Sequence, residues 1–73
     1  MYKIIKKLDG KFYCECTIQD GTERWIEDTL GNAIASMKQS AECLNHDKIK
    51  RKDIEVYFET SPGNFVFQKS RAV

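Results

Sequence analysis

Two pairs of residues have the types and spacing of metal ligands. Cys14 and Cys16 lie two positions apart, and Cys43 precedes His46 by three. Thiolates and an imidazole in two such pairs resemble the halves of a zinc site. The elements that carry them would keep the pairs apart, because Cys14 and Cys16 face the core from a strand while Cys43 and His46 lie away from the apolar stripe of a helix. We therefore predict reduced thiols, no metal site and no cofactor.

Little in the sequence supports a catalytic site. His46 is the only histidine, and no serine or cysteine nucleophile can be placed beside it from spacing. Carboxylates on a sheet face open to water do not gain the raised pKa that general-acid catalysis needs. The glycines of Asp9-Gly10, Asp20-Gly21 and Pro62-Gly63 belong to turns, not to a phosphate-binding loop. The sequence predicts that the protein is not an enzyme.

The residues from 28 to 46 form the only helical pattern, and the rest of the chain must be arranged around it. Asp28 or Thr29 can cap its start. Its apolar side chains fall within an arc of roughly 100°, and that stripe must be buried against a sheet because no second helical pattern exists. The stripe comprises Leu30, Ala33, Ile34, Met37, Ala41 and Leu44.

Five strands are predicted, at residues 1–8, 11–18, 22–27, 53–60 and 65–69. Asp9-Gly10 and Asp20-Gly21 are hairpin signals, and Pro62-Gly63 suits a type II turn. The fold class is therefore α+β, with one domain over residues 1–73, a β-β-β-α-β-β order, an antiparallel sheet with the helix packed on one face, and a frayed tail at 70–73. The predicted core comprises Phe12, Ile18, Leu30, Ile34, Met37, Leu44, Ile54, Val56 and Phe58.

Length and charge limit the class of protein. A chain of 73 residues has room for a single helix-on-sheet core, since so small a domain buries only about 60% of its unfolded surface. Twelve basic residues against eleven acidic ones leave a net charge of +1, so no global field attracts nucleic acid or anionic lipid. We find no membrane-spanning run and no signal-peptide core, and we expect a cytoplasmic protein.

The sheet face opposite the helix is the predicted working surface. Tyr13, Glu15 and Tyr57 should share it with either Trp25 or Ile26, since neighbours on a strand point to opposite faces. We assign Trp25 to this face; in the other register it would be core. Such a face can be an ordinary solvated one, but several aromatics exposed together more often mark a contact surface. The predicted partner-binding residues are Tyr13, Glu15, Trp25 and Tyr57, with the basic loop Lys48, Lys50, Arg51 and Lys52 as a second contact.

These features favour a small, non-catalytic protein-binding module. Chains of this size and architecture are common among phage and mobile-element products that inhibit or regulate host machinery. We expect a protein partner. A homodimer is an additional expectation, because a small sheet has edge strands that need cover.

Nucleic-acid binding is the alternative. The run from Lys6 to Lys11, followed by Asp20-Gly21 and then the helix, resembles the arm-type DNA-binding domains of tyrosine recombinases. That resemblance covers the chain as far as the helix and implies a sheet face that enters the major groove. The chain departs from the family's basic strands at Glu15, Glu23 and Glu27, which would repel phosphate. Nucleic acid is therefore the second choice of partner, with the basic loop and the sheet face as its contacts.

Overall fold

A computed structural model of the protein describes residues 2–18, 21–45 and 53–68, and within these it leaves aside the side chains of residue 18 and residues 41–45. The predicted α+β class and the β-β-β-α-β-β order are confirmed, and the ends of the elements differ from the prediction by a residue or two. The elements are β1 Tyr2–Lys6, β2 Phe12–Ile18, β3 Gly21–Glu27, α1 Leu30–Asn45, β4 Ile54–Ser61 and β5 Asn64–Gln68.

The sheet has the strand order β3-β2-β1-β4-β5, so β1 lies at its centre. The pairs β1–β2, β2–β3 and β4–β5 are antiparallel, whereas β1 and β4 run parallel. The sheet is therefore mixed, where a purely antiparallel one was expected. The physical reason is the connection through α1: a helical crossover returns the chain to the sheet in the direction of the strand that it left. That direction is shared by β3 and β1.

The helix begins at a side-chain cap. The Thr29 hydroxyl accepts a hydrogen bond from the backbone N–H of Asn32 at 3.1 Å, and the Thr29 carbonyl accepts one from Ala33 at 2.9 Å. Of the two predicted caps, Thr29 is thus the one used. Asp28 instead forms an exposed ion pair with Lys11 at 3.2 Å, a contact that contributes little to stability.

The core lies between α1 and strands β1, β2 and β4. It comprises Ile4, Phe12, Cys14, Cys16, Ala33, Ile34, Met37, Ile54 and Val56, with Tyr2, Trp25 and Leu30 packed against it. Phe58 was predicted to belong to it and does not, because 37% of the residue is exposed. The helix packs mainly on β2, and less on β1 and β3. Phe58 lies on β4, outside the area of the sheet that the helix covers. The predicted core side chains of Ile18 and Leu44 lie outside the described residues.

The hairpin between β1 and β2 is longer than the two-residue turn predicted at Asp9-Gly10. Lys7 donates its N–H to the carbonyl of Lys11 at 3.0 Å, and Gly10 donates to the carbonyl of Lys7 at 2.9 Å. The loop therefore has three residues, Leu8 to Gly10, and Gly10 adopts a φ of 85°. A three-residue hairpin loop requires this left-handed conformation at its last position, which glycine adopts without strain.

One carboxylate connects two turns that are far apart in the sequence. Glu59 on β4 accepts a hydrogen bond from the N–H of Leu8 at 3.1 Å through Oε1, and another from the N–H of Gly63 at 3.1 Å through Oε2. Leu8 belongs to the β1–β2 turn and Gly63 to the β4–β5 turn. The side chain thus ties the two hairpins together at one end of the sheet.

We expect Glu59→Ala to lower the free energy of unfolding by about 1–2 kcal/mol, because two hydrogen bonds to a charged acceptor are lost while the exposed N–H groups can still bind water. Urea denaturation measures the loss. The matched control is Glu55→Ala on the same strand and face, where the carboxylate accepts only a long hydrogen bond from Tyr57, at 3.5 Å. Equal losses in the two variants would contradict the role given to Glu59.

Candidate protein-binding face

The sheet face turned away from α1, hereafter the open face, carries an apolar row that crosses all five strands. Pairing places Tyr13 opposite both Ile5 and Ile26, and Tyr57 opposite both Ile5 and Phe67. Because alternate residues of a strand point to opposite faces, burial of Ile4, Cys14 and Val56 under the helix turns their neighbours outward. The apolar row consists, in strand order, of Ile26, Tyr13, Ile5, Tyr57 and Phe67.

Exposure is greatest at the two ends of the apolar row. Ile26 is 52% exposed and Phe67 is 51% exposed, while Ile5, Tyr13 and Tyr57 between them are half-buried. The rings of Tyr57 and Phe67 meet edge to face, with centroids 5.3 Å apart and planes at 65°, the geometry that aromatic quadrupoles prefer. Phe65, 46% exposed, lies on the same face of β5 as Phe67. The row is a continuous apolar strip accessible from solvent.

A row of alternating charges lies next to the apolar row on the open face. It occupies the next outward-facing position along strands β3, β2, β1 and β4. Glu15 pairs with Arg24 on one side and Lys3 on the other, and Lys3 pairs in turn with Glu55. The Arg24 Nε lies 3.0 Å from the Glu15 Oε2, and the Lys3 ammonium lies 5.4 Å from the centre of the Tyr57 ring. Opposite charges on neighbouring strands favour each other, so this charged row carries little net field.

A hollow of about 560 Å³ opens at the β1-β2-β3 end of the open face. Its lining comes from three members of the apolar row, from Cys14 and Trp25 at neighbouring positions of the same strands, and from charged side chains. A volume in this range, lined mainly by apolar groups with a few polar ones, fits a ligand or an inserted side chain. The lining includes Ile5, Tyr13 and Ile26 together with Lys7, Glu15 and Arg24.

Tyr13 is held in place within the apolar row. Its hydroxyl donates a hydrogen bond of 2.6 Å to the Asp9 Oδ2, and the Lys11 N–H donates one of 2.8 Å to the Asp9 Oδ1. The Lys7 ammonium lies 4.3 Å from the ring centre, within the range of a cation–π contact. The hydrogen bond from Tyr13, then that from Lys11, lowers the pKa of Asp9, and the bond to Asp9 raises the pKa of Tyr13.

These two pKa shifts predict a pH window for the Tyr13–Asp9 contact. A pKa of Asp9 below its ordinary 3.8 means that its contribution to stability is present above that pH and is lost as pH falls through the folded-state pKa. A pKa of Tyr13 above its ordinary 10.0 means that stability is lost as pH rises through the raised value.

We expect Asp9→Asn to weaken the acid-side dependence of the melting temperature. The matched control, Glu55→Gln, should retain it.

The structure brings Tyr13, Glu15 and Tyr57 together on the open face, where the sequence analysis put them; their role in binding stays a prediction. The predicted placement of Trp25 on the open face is wrong. β3 takes the other register, which puts Trp25 opposite Cys14, and the indole packs against the core on the helix side. Its Nε1 donates a hydrogen bond of 2.9 Å to the Ser36 Oγ. Ile26 therefore occupies the open face in its place.

Sequence reasoning missed Ile5 and Phe67 as members of the surface, and it named Ile26 only as the alternative to Trp25. Apolar and polar residues do not alternate cleanly along β1 and β5, because apolar residues occupy both faces of these strands. The sequence pattern therefore indicates only in part which residues face outward. The alignment of the row depends on how the strands pair. The predicted basic contact, Lys48, Lys50, Arg51 and Lys52, lies outside the described residues, as does His46.

The thiols of Cys14 and Cys16 lie in the core. Burial raises the pKa of Cys14 to about 12, and it also raises the pKa of Cys16. Both cysteines are free, and neither forms a reactive thiolate near neutral pH. Within the described ranges, no three His, Cys, Asp or Glu side chains are grouped closely enough to hold a metal ion. The side chain of Cys43 is outside those ranges.

None of the helix residues that the structure describes forms a segment long and apolar enough to cross a membrane. Comparisons with protein-family models, with curated proteins and with solved structures find no significant match to this chain. The open face, with its apolar row, hollow and charged row, is the candidate binding surface.

Proposed function

We propose that this protein is a small, non-catalytic protein-binding module whose open face docks on a partner protein. The observation that supports this most strongly is the apolar row, which crosses all five strands and has the charged row along one side. An apolar centre with a polar border is the anatomy of protein interfaces. Aromatic anchors and an aliphatic side chain next to a hollow are the features that carry binding energy in such interfaces.

The charge pattern favours a protein partner over nucleic acid. Phosphate contacts need a surface on which basic side chains outnumber acidic ones. In the charged row, Glu15 and Glu55 alternate with Arg24 and Lys3, so a phosphate backbone along it would meet repulsion at every second step. A protein surface with its own mixed charges can match the alternation, and matched charges set the orientation of docking.

The chemistry of the site favours binding over catalysis. A general acid or base works best when its pKa lies near the working pH. Here the pKa of Asp9 is lowered by Tyr13, that of Tyr13 is raised by Asp9, and that of Cys14 is raised to about 12 by burial. Each shift moves the group further from neutrality. A domain of this kind would act in the cytoplasm by occupying a surface of its partner and so regulating or inhibiting it.

The proposal is tested by affinity capture from host lysate with and without nuclease, using the parent protein, Ile26→Asp and Ala35→Asp. Ala35 is exposed on the helix, so it provides the same new charge on the opposite side of the molecule. A protein captured after nuclease by the parent and by Ala35→Asp, and lost with Ile26→Asp, supports the proposal. Capture that disappears with nuclease favours the nucleic-acid alternative, and capture insensitive to Ile26→Asp contradicts an open-face site.

A further inference from the structure

The two edges of the sheet differ in how they are protected. β3 carries three charged residues, Glu23, Arg24 and Glu27, and charges on an edge strand discourage another strand from pairing with it. β5 carries none. Its three central side chains are exposed, Phe65 by 46%, Val66 by 55% and Phe67 by 51%. Among the residues that the structure describes, no strand pairs with the outer side of β5. Its outer backbone groups therefore offer a template for a further strand.

The residue types of β5 read the same in both directions from its centre. Val66 is flanked on each side by a phenylalanine, and these are flanked by Asn64 and Gln68, two amides. When two copies run antiparallel about Val66, Val66 faces Val66 of the partner subunit. Phe65 then faces Phe67 of the partner subunit, and Asn64 faces Gln68 of the partner subunit. Aromatic pairs and amide pairs are favourable cross-strand neighbours, and no like charges meet.

We infer that β5 is a self-association site, at which a second copy of this chain pairs antiparallel about a twofold axis at Val66. An isologous contact of this kind needs a surface complementary to itself, and the order of side chains in β5 supplies one. The second copy is favoured over an unrelated extended segment because the pairing matches every side chain of the strand with its own chemical type.

Pairing at β5 also covers apolar surface on both faces of the sheet. On the open face, the edge-to-face contact of Tyr57 and Phe67 gains Phe65 of the partner subunit as a neighbour. On the helix side, Val66 pairs with Phe58 across β4 and β5, and both side chains are exposed. The twofold axis brings this pair next to its equivalent in the partner subunit, and so explains why a large aromatic lies beyond the cover of α1.

The consequence is a continuous sheet in which both helices lie on one side and the two open faces lie side by side on the other. The two apolar rows would then meet where Phe67 of each copy faces Phe65 of the partner subunit. A dimer of this form presents two copies of the open face to a partner, and bivalent presentation strengthens binding to a target with two sites. The inference goes beyond the proposed function, because it rests on the outer side of β5 and not on the hollow at the other edge.

Sedimentation equilibrium over a concentration series up to the millimolar range tests the inference, using the parent protein, Val66→Lys, Val66→Glu and an equimolar mixture of the two variants. Because residue 66 faces its own copy, each variant alone places like charges together at the axis. We expect the parent's mass to approach twice the monomer mass, each variant to remain monomeric, and the mixture to recover the dimer through a Lys–Glu pair. Thr22→Lys, an exposed position on the other edge strand, should dimerise as the parent does.

Three results would overturn the inference: a parent that stays monomeric throughout the series, variants that dimerise as well as the parent, or a mixture that stays monomeric although both variants show the parent's circular dichroism spectrum. A failure of self-association at β5 can be distinguished from a failure of partner binding at the open face. Val66 lies on the helix side of β5, so a monomeric Val66→Lys that still captures the partner would leave the open-face proposal intact.

Discussion

Replacing Ile34 with alanine is expected to destabilise the domain by about 2–5 kcal/mol, the cost of removing a buried aliphatic side chain and leaving a cavity. Ile34 is 5% exposed and belongs to the helix side of the core. The core between α1 and the sheet is the only one in the described part of the chain, so a loss at this contact has no second core to compensate for it. Small domains have total stabilities near the low end of about 5–15 kcal/mol.

Thermal and urea denaturation of Ile34→Ala measure this loss, and the matched control is Lys38→Ala one turn further along the helix. Lys38 is exposed, and alanine is a strong helix former, so the control should melt close to the parent. We expect Ile34→Ala to be largely unfolded at physiological temperature. If its melting temperature matched that of the control, packing of the helix on the sheet could not be what holds this fold together.

Placing a charge at Ile26 is expected to have the largest effect on binding. Ile26 ends the apolar row, lines the hollow and is half exposed, so an aspartate there can be solvated in the free protein and must lose that water when a partner docks. Burying an unpaired charge is costly. We expect Ile26→Asp to weaken the partner roughly 100-fold, or about 2.8 kcal/mol, with little change in the melting temperature.

Tyr57→Ala should act in the same direction and less strongly, by about 1 kcal/mol or more, since it removes one aromatic contact from the row. Titration calorimetry with the captured partner gives both values, and Ala35→Asp provides the control. A loss of affinity in the control as large as that in Ile26→Asp would show that the charge acts at long range and not at the site.

The parts of the fold that depend on local pattern could be predicted from the sequence. The apolar stripe of the helix identified Ile34 and Met37 as core, and the order of turns and strands gave the element order. The parallel pairing of β1 with β4 could not be read in this way. It depends on where the helical crossover returns the chain to the sheet, a choice made by packing between distant segments and not by local propensity.

The errors in the predicted surface have the same origin. Trp25 and Ile26 are neighbours of similar apolarity, so alternation alone could not decide which of them faces the helix. The decision comes from pairing with β2, which puts Trp25 opposite Cys14 and within reach of Ser36. Phe58 continues the alternation of β4, but α1 does not extend over it. Position relative to the helix, and not pattern along the strand, decides its exposure.

Chemical-shift mapping of the isotope-labelled protein with its captured partner shows which face of the molecule binds. We expect the largest perturbations upon binding at the residues of the apolar row, Ile5, Tyr13, Ile26, Tyr57 and Phe67, and none at Asn32, Ala35 and Gln39 on the exposed side of the helix. Perturbations confined to the helix, with the apolar row unchanged, would contradict the assignment of the open face as the binding surface.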